Sequence, residues 1–251
     1  MKKVSINLSG KKLLITGGSR GIGRALSIAF SQCGCKIFIN YAGNDEKAHE
    51  TKKIIEDNGG SCTLIKADLR KADCAEVIGE QVSDIDILIL NASIQYRQNW
   101  KHITLDEFDE QINCNLRASM LLMQKYIPGM VKKGNGRVIT IGSVQERKPH
   151  ADMLVYSSSK SALTSMAMSL ALQLSDTGVT VNSVAPGVIY TDRNTAALSN
   201  AAYANEVKSK VPMGYWGTPE DCVEIIKTLC SDGAKYITGQ NIFVDGGMGI
   251  K

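Results

Sequence analysis

The chain has 251 residues and a mass of 27.2 kDa, room for one large α/β domain or two small ones, and its 43% hydrophobic content supplies a full core. Its net charge of +4 is dispersed over separate doublets (Lys2-Lys3, Lys11-Lys12, Lys132-Lys133) and aromatics make up 6%, a poor footprint for nucleic acid. Seven scattered cysteines without a CxxC pair and three histidines without an HExxH arrangement give no metal site, and no apolar run approaches the ~20 residues of a membrane helix.

Met1 to Ser5 leads into a strand-like segment without a signal-peptide core, so a cytoplasmic protein with reduced, mostly buried thiols is expected. The apolar run Lys11 to Thr16 ends in Thr16-Gly17-Gly18-Ser19-Arg20-Gly21-Ile22-Gly23, and Arg24 to Phe30 then has helical spacing. Glycines in such a strand-turn-helix setting allow positive φ and close approach of a phosphate, and the helix N-terminus offers N–H groups to an anion. The spacing of Gly17, Gly21 and Gly23 differs from GxGxxG, and the alternative is a merely tight βα turn.

The next strand, Cys35 to Asn40, ends where a dinucleotide fold often places an acid that accepts from the adenosine ribose and repels a 2′-phosphate. Asn40 and Tyr41 stand there instead, and Arg20 could reach a phosphate, so NADP is favoured; Asp45 and Glu46 just downstream are the argument for NAD.

Helical spacing over Asp45 to Asn58 closes on Gly59-Gly60, and the strand Ser61 to Ala67 delivers Asp68-Leu69. Asp68 could contact adenine or cap the following helix, Lys71 to Val82. The strand Ile85 to Leu90 ends in Asn91-Ala92-Ser93, small residues that leave room for a ligand. Thr104 to Gln124 reads as one helix with a Thr104/Glu107 capping box. Within it Asn113 and Asn115 are unusual, because Asn competes with helical backbone bonding; each has a hydrogen-bonding task or lies on a solvated face.

The strand Gly136 to Ser143 presents Ser143 thirteen residues before Tyr156, and the intervening loop carries Gln145, Glu146, Arg147 and His150. In Tyr156-Ser157-Ser158-Ser159-Lys160 the phenol and the ammonium share a helix face. A tyrosine ordinarily titrates near pH ~10, and a nearby cation stabilises the phenolate, which would equip Tyr156 as a general acid or base. The helix continues to about Ser175, with Leu163, Met166, Leu170 and Leu174 as its packing face. A strand Val179 to Ala185 ends at Pro186-Gly187; residues 188–213 lack a tidy period, as a lid would; Thr218-Pro219 starts a helix; and Gln240 to Val244 is the last strand. The alternation predicts one domain over 1–251, α/β, with a doubly wound, mainly parallel sheet.

Thr16-Gly17-x-x-x-Gly21-x-Gly23, Asp68, Asn91-Ala92, Asn115, Ser143, Tyr156-x-x-x-Lys160, Pro186-Gly187 and Asp245-Gly246-Gly247 stand in an order and at spacings that resemble the short-chain dehydrogenase/reductase family over nearly the whole chain. The resemblance implies a Rossmann-like fold of seven strands with helices on both faces, a nicotinamide cofactor, and a homotetramer. It implies that Tyr156 is the acid/base, that Ser143 binds the substrate oxygen, and that Lys160 holds the ribose and lowers the Tyr156 pKa. Asn115 would hold a water in a proton relay, and Thr191 would contact the nicotinamide amide. The cofactor would also touch Ser19, Ile22, Leu69, Ala92 and Val188. Where the family commonly has Asn-Asn-Ala-Gly, this chain has Leu90-Asn91-Ala92-Ser93, which puts a Cβ beside the cofactor path.

Ile94-Gln95-Tyr96-Arg97, Gln145, Arg147 and His150 flank the presumed cleft, and Arg forks suit carboxylates and polyhydroxylated compounds. The family's sugar, polyol and sugar-acid dehydrogenases are most similar in these loops, so a small polar alcohol or ketone is the expected substrate. A 3-oxoacyl-carrier-protein reductase is the alternative, although Leu174-Ser175-Asp176-Thr177-Gly178 lacks the basic residue that would meet an acidic carrier. A non-catalytic dinucleotide-binding protein on this fold would show decay at Ser143, Tyr156 or Lys160, and all three are intact.

Overall fold

The computed structural model describes residues 6–251, with the side chains of 196 and 197 left aside. The leader-free start read over Met1 to Ser5, with its Lys2-Lys3 doublet, therefore lies outside the described residues. Strands and helices alternate as β1 (Lys12–Thr16), α1 (Gly21–Gln32), β2 (Lys36–Tyr41), α2 (Asp45–Asp57), β3 (Ser61–Lys66), α3 (Cys74–Gln81), β4 (Ile87–Leu90), α4 (Leu105–Ile112) and α5 (Ala118–Lys133). The second half continues as β5 (Gly136–Ile141), α6 (Leu154–Gln173), β6 (Val179–Pro186), α7 (Thr195–Leu198), α8 (Ala201–Lys210), α9 (Val223–Cys230) and β7 (Asn241–Val244).

The seven strands form one sheet in the order β3-β2-β1-β4-β5-β6-β7, and every pairing is parallel. A parallel sheet is covered on both faces, which explains unbroken apolar runs such as Leu13-Leu14-Ile15 and Ile87-Leu88-Ile89-Leu90. One core sets Ile78, Leu122, Met130 and Leu163 against Leu14, Leu88 and Val138; the other sets Leu26, Phe30, Ile226 and Leu229 against Leu13, Ile15 and Ile89. The strand order reverses between β1 and β4, and in such sheets the crevice opens at the carboxyl ends of those strands.

Two elements depart from their expected form. The helix expected over Thr104 to Gln124 is α4, a π-helical turn Asn113–Arg117, and α5, which runs through Pro128 to Gly134 at φ +67°. Ile127 and Met130 are buried in the core, and that packing outweighs the hydrogen bond that Pro128 cannot make. The segment 188–213 is about half helical, as α7 and α8; both are short, and much of α8 faces outward, which erased the period. No helix among the described residues is long and apolar enough to cross a membrane.

Candidate active site

The turn after β1 sets Gly17 at φ +62° and Gly21 at φ +52°, backbone that favours glycine. Gly23 meets a different demand: a Cβ there would lie 2.2 Å from the Gly17 carbonyl and 2.7 Å from Asn91 Nδ2, so only glycine lets α1 sit against the strand ends. Asn91 locks the same corner, with Nδ2 donating to the Thr16 and Gly17 carbonyls at 2.9 and 3.1 Å. The first turn of α1 has no side-chain cap and no acidic residue, which leaves its amides and the positive dipole end facing the cleft.

That cleft has a volume of about 730 Å³ and runs from the glycine turn to α8. Gly17, Ser19, Arg20, Gly21, Ile22, Asn40, Tyr41, Asp68, Leu69, Asn91 and Ala92 line one end, and Pro186, Gly187, Val188 and Thr191 close over it. Thr191 sits against the turn, 3.3 Å from where a Gly21 Cβ would be. Asp68 is held by Arg70, which donates through Nη2 at 2.8 Å and keeps the carboxyl below its usual range, and the cap of α3 is Asp73. Asn40 is 1% exposed and donates to the Ile65 and Ala67 carbonyls. Asp45 faces away from the cleft, tied to Lys66 at 2.7 Å and Tyr41 at 2.9 Å.

At the other end Tyr156, Lys160 and Ser143 meet, all buried and all lining the cleft. Burial pushes the Tyr156 phenol above its usual range, and the Arg193 cation and hydrogen bonds with Ser143 and Ser93 oppose that shift. In this geometry the cation that lowers the phenol most is Arg193, from the segment after β6. Lys160 Nζ lies 5.8 Å from the Tyr156 ring centre and donates to the Ile141 carbonyl at 2.6 Å. Burial, reinforced by Arg193, depresses Lys160 to about 8, which weakens its own cationic field. One hydrogen bond accounts for one of its three N–H groups, and the others have the cleft to serve.

Glu146, in the loop before α6, braces the site. Its Oε1 accepts from the Ser143 amide at 2.7 Å, its Oε2 accepts from Asn241 at 2.7 Å, and a Cβ on Gly142 would lie 2.1 Å from that carboxylate. Asn115, completely buried in the π turn, does not line the cleft. Its amide pairs with both the N–H and C=O of Ile94 at 2.9 Å and donates to Ser159 at 3.1 Å, a strut between the end of β4 and α6.

Of the expected substrate contacts, Arg97, Gln145 and His150 line the cleft, and Tyr96 and Arg147 do not. The Tyr96 hydroxyl donates to Glu110, and Arg147 stacks 3.9 Å above the Phe243 ring. A further guanidinium in the cleft is that of Arg193, which donates to the Ser93 carbonyl at 2.7 Å and to Ser93 Oγ at 3.2 Å. No local pattern marks it; the one sequence signal was the unusual Ser93 that it grips. Among the described residues no His, Cys, Asp and Glu cluster could hold a metal ion, and all seven cysteines are free.

The profile of the family described as Enoyl-(Acyl carrier protein) reductase matches residues 17–249. The 3beta-hydroxysteroid dehydrogenase 1 of Eggerthella lenta is 32% identical, over 96% of this chain and 95% of its own. The 3-oxoacyl-[acyl-carrier-protein] reductase FabG of Rickettsia conorii is 35% identical, over 97% and 98%. The structure of a gluconate 5-dehydrogenase from Burkholderia cenocepacia, in complex with NADP and tartrate, superposes with a TM-score of 0.89 at 28% identity, covering 98% of this chain and 97% of that one.

Proposed function

The chain belongs to the short-chain dehydrogenase/reductase family, and we propose that it interconverts a secondary alcohol and a ketone on a small polar substrate such as a sugar, polyol or sugar acid. The observation that carries this reading is the meeting of Tyr156, Ser143 and Lys160 at one end of a cleft whose other end is an uncapped, glycine-lined helix N-terminus.

The residues fit a dinucleotide. The amides of Gly21 and Ile22 would hold its diphosphate, the N–H groups left on Lys160 its ribose hydroxyls, and Thr191 its amide. NADP is the cofactor: Arg20 lines the adenosine end, Asn40 replaces the usual acid, and Asp45 is turned aside. When bound, NADP supplies or accepts the hydride. In the reductive direction Ser143 orients the substrate carbonyl, and the Tyr156 proton passes to its oxygen as the new C–H bond forms. The phenolate left behind is stabilised by Ser143, Ser93 and the charge of Arg193. Alcohol oxidation runs the same proton back to Tyr156. Asn115 is a positioning residue in this scheme, with one Oδ1 lone pair left for a relay water.

A 3-oxoacyl-carrier-protein reductase is the second reading, favoured by the 35% identity to FabG and opposed by Asp176, where a basic contact for the carrier would be expected. Exposed apolar side chains on α4 and α6, with Leu105 at 73% and Leu172 at 78%, support a homotetramer built through these helices. We read 1–251 as one domain with a lid over 188–213, and the seven free thiols support a cytoplasmic location. A panel of sugars, sugar acids, polyols and β-ketoacyl thioesters, followed by nicotinamide absorbance, tests the reading. Oxidation or reduction of a polar member that Tyr156→Phe abolishes is expected; turnover confined to the thioesters selects the second reading.

A further inference from the structure

Arg193, on the lid, lines the cleft. Among the described residues its guanidinium is held by Ser93 alone, through the carbonyl at 2.7 Å and Oγ at 3.2 Å, which commits two of its five N–H groups. Ser93 also acts on the Tyr156 phenol, as does the charge of Arg193, and both hold it down against burial. The fork of Arg193 is thus anchored in the same cleft as the phenol, near enough for its charge to be felt there. Arg97 lines the same cleft, and its Nη2 donates to the Tyr203 hydroxyl of α8 at 3.1 Å.

Both guanidiniums face the cleft, and among the described residues neither forms an ion pair. Of the two carboxylates on the lid side of the cleft, Glu206 is paired with Lys210 at 2.6 Å, and Asp192 pairs with neither arginine. Two guanidiniums that line one cleft and bond only to uncharged oxygens suit an anion.

We infer that Arg193, seconded by Arg97, receives a carboxylate of the substrate, so that the enzyme takes hydroxy and oxo acids in preference to neutral alcohols and ketones. The inference rests on the oxidoreductase reading above and narrows it. Ser93 presets the fork, so that binding the carboxylate draws the lid down beside Tyr156.

The test pairs each acid turned over in the panel with its primary amide, which differs only in charge, assayed at saturating NADP or NADPH in the wild type, Arg193→Gln and Arg193→Lys. The wild type is expected to prefer the acid by about 10- to 100-fold in kcat/KM, the weight of a charge-assisted pair. Arg193→Gln should raise KM for the acid by a similar factor and leave KM for the amide as it was, any change in kcat from the lost charge being common to both substrates, and Arg193→Lys should recover part of the KM loss. NADP affinity, read by nicotinamide fluorescence, should be the same in all three proteins. Equal turnover of acid and amide by the wild type overturns the inference and leaves the oxidoreductase reading standing. Weaker NADP binding in Arg193→Gln, with acid preference intact, assigns the fork to a cofactor phosphate and overturns it as well. Absence of Tyr156-dependent turnover on every member of the panel overturns both.

Discussion

The Lys160 ammonium, 1% exposed, donates one 2.6 Å hydrogen bond to the Ile141 carbonyl at the end of β5. The lysine is thus pinned to the sheet, and burial holds it at about 8 against an ordinary 10.5. Between those values the unfolded chain binds more protons than the folded one, so stability rises with pH through this window and falls as pH drops through 8. A shift from 10.5 to about 8 corresponds to about 3 kcal/mol. Lys160→Met removes this dependence. Urea titrations of both proteins should show the wild type gaining on the variant by up to about 3 kcal/mol between pH 7 and pH 10.5. Parallel stability curves would mean that Lys160 is not depressed in the fold.

Tyr156→Phe keeps the buried ring and removes the hydroxyl on which Ser143 and Ser93 act. Turnover should fall by about 10²- to 10⁴-fold or more, the usual weight of a positioned acid/base, with unchanged NADP affinity. Steady-state rates and nicotinamide fluorescence read the two effects separately. Near-wild-type turnover on any substrate would remove Tyr156 from its role.

The charge of Arg193 lowers both Tyr156 and Lys160. Removing that cation destabilises the phenolate and relieves the ammonium, so both values rise in Arg193→Gln. Alcohol oxidation needs the phenolate, and its rate therefore climbs with pH through the Tyr156 ionisation. The rising limb of the kcat profile should move to higher pH in the variant. A limb that stays in place would show that the Arg193 charge is screened from the phenol.

What could be read from the chain alone was what lies close in sequence or at a strand end. Tyr156 and Lys160 share a face by spacing, Ser143 ends its strand, and Gly17, Gly21 and Gly23 sit between a strand and a helix. What escaped depends on partners far along the chain. Arg147 and Arg193 look equally able to enter a cleft, and only the fold stacks the first on Phe243 and brings the second to Ser93, 100 residues away. Tyr96 reads as a substrate contact until Glu110 is seen to take its hydroxyl. Asn115 stood out for the right reason, an Asn inside a helix. Its partners, Ile94 and Ser159, lie 21 and 44 residues away and could not be read from the helix itself.

Cofactor choice gives the last prediction, and Asn40 and Arg20 divide it between them. Asn40 holds the position where an acid would select NAD, yet its amide donates to the Ile65 and Ala67 carbonyls at 3.4 and 2.9 Å. A carboxylate there would face two acceptors with no donor to offer, at a site that is 1% exposed. Asn40→Asp should therefore destabilise the protein by about 1–3 kcal/mol or more, seen as a lower urea midpoint, without conferring NAD preference. Arg20 has no such structural duty, since it makes no cap hydrogen bond to α1. Arg20→Ala should weaken NADP binding by about tenfold and leave NAD binding and the urea midpoint unchanged, the loss expected for one charge-assisted contact to a phosphate. A stable Asn40→Asp protein that prefers NAD would move cofactor selection from the glycine turn to the end of β2.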